Sequence, residues 1–203
     1  MSEGEGEGGG KVGLSRRGFI GATGAAAALI PALANAQGAT AAEAPAALGP
    51  GPTPLSFGLN GKAVRLEIEP RETLAEVLLY RVGLTGTKVA CDRGACGACT
   101  VLVDGTPRAS CLCLGLDVEG AQVTTIEGVS EKGLNAVQSA MHAADGLQCG
   151  YCIPGFVMCA SALFQRNSSP SSAEIKDALA GNLCRCGSQP HIVEALTKLG
   201  GKR

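Results

Sequence analysis

Ten cysteines fall in this chain, and their spacing constrains the fold more than any other feature. Cys91, Cys96 and Cys99 stand as C-x4-C-x2-C in "CDRGACGAC", and Cys111 follows after eleven further residues. Four more form two tight pairs, Cys149 with Cys152 in "QCGYCIPG" and Cys184 with Cys186 in "NLCRCG". Thiols this crowded mean either disulfides or metal. Something must also reinforce the core: only 3 % of residues are aromatic and there is no Trp, so Ala, Val, Leu and Ile have to fill it, burying little area per residue.

The N-terminus bears on that choice. After a Gly/Glu-rich start, "SRRGFI" places Arg16 and Arg17 ahead of the weakly apolar run "GFIGATGAAAALIPALANAQ", which ends in an A-x-A site at Ala34-Asn35-Ala36. Residues 1–36 resemble a twin-arginine export signal, which implies a periplasmic destination reached by a protein already folded. Cysteines folded in the reducing cytoplasm meet metal before any oxidant. A membrane anchor is the other reading, since Gly18 to Ala42 carries no charge. Within it only Phe19, Ile20, Leu29, Ile30 and Leu33 are strongly apolar, so stable insertion is not expected.

Residues 37–54 form a Pro/Ala/Gly linker without periodicity. From Leu55, "LSFGLNGKAVRLEIEP" reads as a hairpin about Asn60-Gly61, and "ETLAEVLLYRVG" as a helix with Leu74, Val77, Leu78 and Val82 on one face and Gly83 at its end. "CTVLVDGTPRASCLCLGL" reads as strand, Asp-Gly turn and strand, and "QVTTIEG" as one more strand. Residues 55–128 thus form a small α+β domain. Residues 129–203 are all helical, in four segments: "LNAVQSAMHAADG", "PGFVMCASALFQRN", "SSAEIKDALAGN" and "PHIVEALTKLGG". Pro154 and Pro190 suit first turns, Ser171 with Glu174 a capping box, and Gly146 and Gly181 helix stops. With 17 basic and 18 acidic residues scattered along the chain, nucleic acid is not an expected partner.

Cys91, Cys96, Cys99 and Cys111 have the plant-type two-iron, two-sulfide spacing. Four thiolates converging from one loop need backbone that doubles back, which Gly94 and Gly97 allow through positive φ, while small Ala95 and Ala98 let amides approach the sulfides. A four-cysteine zinc site would instead favour two C-x2-C knuckles. Cys113, two residues past Cys111, reads as a packed thiol on the same face of a strand.

The second set is less explicit. C-x2-C with C-x-C suits zinc, a redox dithiol or a cluster; the dithiol reading needs a βαβ setting that this helical region lacks. Cys152 precedes a helix start and Cys184 follows Gly181, and a helix N-terminus favours thiolate. Arg185 lies between two of these cysteines, and Cys159, seven residues past Cys152, reads as core.

The order C-x4-C-x2-C-x11-C, Q-C-G-Y-C-x-P-G, N-x-C-R-C-G resembles the iron–sulfur subunit of the molybdenum hydroxylases, the xanthine dehydrogenase and aldehyde oxidoreductase family, over about Leu55 to Leu199. With the signal, it is most similar to the periplasmic aldehyde oxidoreductase type. The resemblance implies a β-grasp, plant-type ferredoxin-like domain holding one [2Fe–2S] cluster through Cys91, Cys96, Cys99 and Cys111. It implies a four-helix bundle holding a second through Cys149, Cys152, Cys184 and Cys186. Gln148 and Cys186 match positions that contact the pterin of a molybdenum cofactor carried by a separate large subunit. A flavin subunit or a c-type cytochrome would accept the electrons, and the chain itself would hold no catalytic centre. Where the family usually has an aromatic residue three positions past the last cysteine, this chain has Gln189, then Pro190 and His191. His191 reads as a surface residue at a helix start.

Overall fold

Asn60 and Gly61 both adopt the left-handed backbone (φ 51° and 79°) that a two-residue hairpin turn requires. They join β1 (Thr53–Leu59) to β2 (Lys62–Ile68), with Leu59 opposite Lys62. Asp104 and Gly105 (φ 48° and 75°) do the same between β3 (Thr100–Val103) and β4 (Thr106–Ala109). β5 (Gln122–Thr124) fits between these hairpins, parallel to β1 and antiparallel to β3, giving the order β2-β1-β5-β3-β4. The structure, a computed structural model, describes residues 49–131 and 133–201, all within one compact unit. The segment expected to be an export signal and most of the 37–54 linker lie outside the described residues, and β1 begins at Thr53, within the span read as linker.

One helix crosses the sheet. Thr73 opens it with a capping box, its hydroxyl accepting from the Glu76 amide while the Glu76 carboxylate accepts from the Thr73 amide. The first turn, α1 (Leu74–Glu76), widens into a π turn over Val77–Arg81, and Gly83 (φ 81°) follows its end. Leu74, Val77 and Leu78 are buried against Leu55, Phe57, Ile68, Val101 and Val123, the core of a β-grasp half. The strand expected over "QVTTIEG" stops at Thr124, and α2 (Ile126–Val129) follows. The buried Thr125 between them leaves the ladder because Asn60 Oδ1 takes its amide proton and Glu127 its hydroxyl proton.

Four helices make the other half: α3 (Ala136–Ala143), α4 (Ile153–Arg166), α5 (Ser172–Ala178) and α6 (Gln189–Gly200). They repeat one plan. The first helix of each pair opens with a capping box, Asn135/Gln138 on α3 and Ser171/Glu174 on α5, and the second carries Pro154 or Pro190 in its first turn. α4 is buried on every side from Gly155 to Leu163, as befits a helix apolar all round. It packs against α3, α5 and α6 residues and also against the sheet. Pleating sends Val101 of β3 into the sheet core and Leu102 to the opposite face, where Met158 and Ala162 of α4 meet it.

Three local expectations need correction. Gly146 and Gly181 do not act as left-handed helix stops; Asp145 (φ 52°) turns the chain after α3, and the Gly146 amide reaches back to the Met141 carbonyl. β4 ends at Ala109, so Cys111 and Cys113 share no strand face. Cys113 packs at the edge of the sheet core, while Cys111 is buried with Cys99 and Ala75.

Candidate metal centres

The loop from Val89 to Cys99 doubles back through left-handed backbone at Asp92, Gly94 and Gly97 (φ 51°, 70° and 67°). That curl aims amides at sulfur: Gly94 N donates to Cys111 Sγ and Ala95 N to Cys91 Sγ, each at 3.3 Å. The thiols come together in two pairs. Cys91 meets Cys96, and Cys99 meets Cys111. The second pair is buried and the first only partly so. The Arg93 amide and the Cys96 thiol draw the Cys91 pKa down to about 7, whereas burial pushes Cys111 up to about 11.

The helical set has the same division. Each cysteine pair of the sequence sits in the connection of one helical hairpin, Cys149 and Cys152 ahead of α4, Cys184 and Cys186 ahead of α6. Packing the hairpins brings exposed Cys149 to exposed Cys186, and half-buried Cys152 to half-buried Cys184. Cys152 is the N-cap of α4, yet its thiol is pushed up to about 11 by burial and by the Cys184 sulfur; desolvation outweighs the helix dipole expected to favour thiolate. At Cys184 burial opposes ionisation, but the Ser188 hydroxyl, 3.2 Å away, and the Ser188 amide hold the pKa down to about 7.

Eight sulfurs therefore form an inner and an outer pair at each of two places. Among the described residues no three His, Cys, Asp or Glu side chains converge as one ion requires. Pairs of thiols suit a bridged two-iron group, with two sulfurs for each iron. A cavity of about 460 Å³ is lined by Cys96 and by Cys149, Cys152, Cys184 and Cys186, so one thiol of the first set shares a space with all four of the second. Gln148 is exposed next to Cys149, whose thiol meets Cys186, so both expected pterin-contact positions lie at the outer edge of the second set. Gln148 also borders an apolar cavity of about 450 Å³ with Leu134, Met141 and His142. Cys159 is buried in the helical core, and Arg185 and His191 are exposed. Sequence reasoning passed over Ser188, Tyr151 and Asn182, although the last two stand inside the cysteine motifs.

Two family models match, the "2Fe-2S iron-sulfur cluster binding domain" over residues 57–125 and the "[2Fe-2S] binding domain" over residues 125–197. The nicotine 6-hydroxylase small subunit of Paenarthrobacter nicotinovorans is 42 % identical over 144 residues, which cover 71 % of this chain and 87 % of that protein. The chain belongs to the iron–sulfur subunits of the molybdenum hydroxylases. Another member, the aldehyde oxidoreductase iron-sulfur-binding subunit PaoA of Escherichia coli (strain K12), is 38 % identical over 207 residues, covering 93 % of this chain and 89 % of its own length. Among solved molybdenum hydroxylase structures, quinoline 2-oxidoreductase from Pseudomonas putida 86 has a chain that superposes with a TM-score of 0.70 at 41 % identity, over 73 % of this chain and 93 % of that one. Electron transfer within an oxidoreductase complex is the role of these subunits, and this chain has both of their cluster-binding domains.

Proposed function

We propose that this chain relays single electrons between a molybdenum-cofactor subunit and a flavin subunit or c-type cytochrome. The observation that carries the reading is the sorting of eight thiols into two sets, each made of two pairs. Cys91, Cys96, Cys99 and Cys111 ligate one [2Fe–2S] cluster, and Cys149, Cys152, Cys184 and Cys186 the other, the first in residues 55–128 and the second in 129–203. Bound there, the clusters supply one-electron carriers between a two-electron oxidation on the partner and the acceptor. The residues do the rest. Gly94 and Ala95 direct amides toward ligand sulfur, buried Cys99 and Cys111 keep water from the inner side, and Gln148 with Cys186 presents the exposed edge of the second set to the partner's pterin. We place catalysis on the partner and assign the residues of both sets to ligation and electron transfer.

Aldehyde oxidation to a carboxylic acid is the reaction we assign to the complex. The alignment with PaoA extends to 93 % of the chain and so takes in the segment with Arg16 and Arg17, the pair that supports export through the twin-arginine route. Hydroxylation of an N-heterocycle is the second reading, favoured by the 42 % identity with the nicotine 6-hydroxylase subunit. Anaerobic purification with co-purifying partners, iron and sulfide analysis, and spin-resonance spectra after dithionite test the relay. About four irons, four sulfides and two distinct paramagnetic centres per chain are expected; about two irons without sulfide would refute it. Screening the complex with aldehydes against N-heterocycles decides the substrate.

A further inference from the structure

Gly97 lies between Cys96 and Cys99, and its carbonyl accepts three hydrogen bonds: from the Thr100 amide at 3.2 Å, the Thr100 hydroxyl at 2.7 Å and Asn182 Nδ2 at 3.2 Å. Gly155, in the first turn of α4, approaches so closely that a Cβ there would lie 2.1 Å from that oxygen. A Cβ on Gly97 itself would stand 2.6 Å from the Gly181 carbonyl and from Asn182 Nδ2. The first cysteine loop, the start of α4 and the segment leading into Cys184 thus meet at one peptide group with no space between them.

Asn182 is 2 % exposed, and its Oδ1 is buried without a hydrogen-bond partner among the described residues. An orphaned amide oxygen destabilises the folded state, and an alanine would avoid it. What Asn182 offers in return is its nitrogen, the donor that reaches Gly97. The next residue repeats the contact, Leu183 N donating to the Cys96 carbonyl at 3.0 Å, so residues 182 and 183 hold two successive carbonyls of the first cysteine loop. From the other half of the second set, the Tyr151 hydroxyl donates to the Val89 carbonyl at 2.7 Å, ahead of Cys91.

We propose that Asn182 is a positioning residue that registers the first cysteine loop against the second set and so fixes the separation and orientation of the two metal centres. The inference rests on the reading that both sets hold clusters. Electron exchange and magnetic dipolar coupling both fall steeply with separation, so a loosened register is measurable without turnover.

The test uses the full chain, reduced anaerobically, as wild type, Asn182→Ala and Asn182→Asp. The aspartate keeps the side chain's shape, replaces the NH2 donor by an oxygen and, when ionised, sets a negative charge against the Gly97 carbonyl. Two readouts are taken: dipolar coupling between the reduced centres by spin resonance, and hydrogen exchange of the segment carrying the Leu183 amide. With iron content unchanged, both variants should show a weakened or broadened coupling and about tenfold faster exchange. Should they fail to accumulate folded, Tyr151→Phe, which deletes one hydroxyl, should move both readouts the same way by a smaller amount. Wild-type coupling and exchange in the variants that fold would overturn the proposal. If the wild type itself lacks two paramagnetic centres, the cluster reading has failed, and exchange alone decides the register: about tenfold faster supports it, unchanged refutes it.

Discussion

The two cysteine sets reach the same arrangement by different means. In the first, three of the four sulfurs come from a nine-residue loop whose curl is written into Asp92, Gly94 and Gly97, and the fourth follows one hairpin later. In the second, each pairing joins residues from different helical hairpins, Cys149 to Cys186 and Cys152 to Cys184, so nothing is preformed until α4 and α6 pack. The first site is specified by backbone conformation and the second by a hydrophobic core. Damage to glycines should therefore strike one, and damage to core side chains the other.

Ligand removal gives the largest contrast. Cys99→Ser or Cys152→Ser should each reduce iron from about four to about two per chain and abolish one spin-resonance signal while sparing the other. Loss of both signals from either change would mean the sets are not separate centres. Next, Phe156→Ala opens a cavity in α4 beside the helical core and should cost about 3–5 kcal/mol in urea unfolding, with the Cys149/Cys152/Cys184/Cys186 signal lost at lower denaturant than the other. The glycine pair sharpens the local side. Gly94→Ala strains a left-handed residue but meets only the movable tip of Leu112, so a loss of about 1–2 kcal/mol is expected. Gly97→Ala adds a collision with the Gly181 backbone and should be the more damaging of the two, to both centres; equal melting temperatures and cluster contents would refute this.

The smallest effect lies in the sheet half. Arg81 donates to Glu72 at 2.8 Å and holds its carboxyl below the ordinary value of 4.5, against burial and with help from the Glu69 amide. A carboxylate whose folded pKa is depressed stabilises the protein above its unfolded pKa, and that contribution disappears as pH falls through the folded value. Glu72→Gln should lower the melting temperature by about 2–4 °C at pH 7, and the gap should close as pH falls through the depressed folded pKa. A gap that persists in acid would show that packing, not charge, is responsible.

Much of this was legible in the sequence where chemistry is local. Asn60-Gly61 and Asp104-Gly105 announce their turns, Ser171 and Glu174 their cap, and the C-x4-C-x2-C loop its glycines. Misreadings arose where tertiary contacts override local preference. Thr125 suits a strand, but Asn60 and Glu127 claim its hydrogen bonds, and so the chain turns into α2. Cys152 caps a helix, yet burial beside Cys184 raises its pKa. Which thiol of one helical hairpin would meet which of the other could not be seen from C-x2-C and C-x-C alone, since it depends on how α3, α4, α5 and α6 pack. Asn182 carried no signal beyond its place in "NLCRC", because a buried amide is recognised only by what surrounds it.

β5, the strand at the middle of the sheet, is the last of the five in the chain, and this has a consequence for biosynthesis. While the ribosome is still short of residue 122, β1–β2 and β3–β4 are two ribbons with no bonded neighbour between them. All the sulfurs of the first cysteine set have by then been translated, but the sheet beneath them has not closed. The sheet beneath that set therefore closes only when the three residues Gln122–Thr124 have been made, immediately before α2, so its last strand arrives as synthesis of the helical half is about to begin.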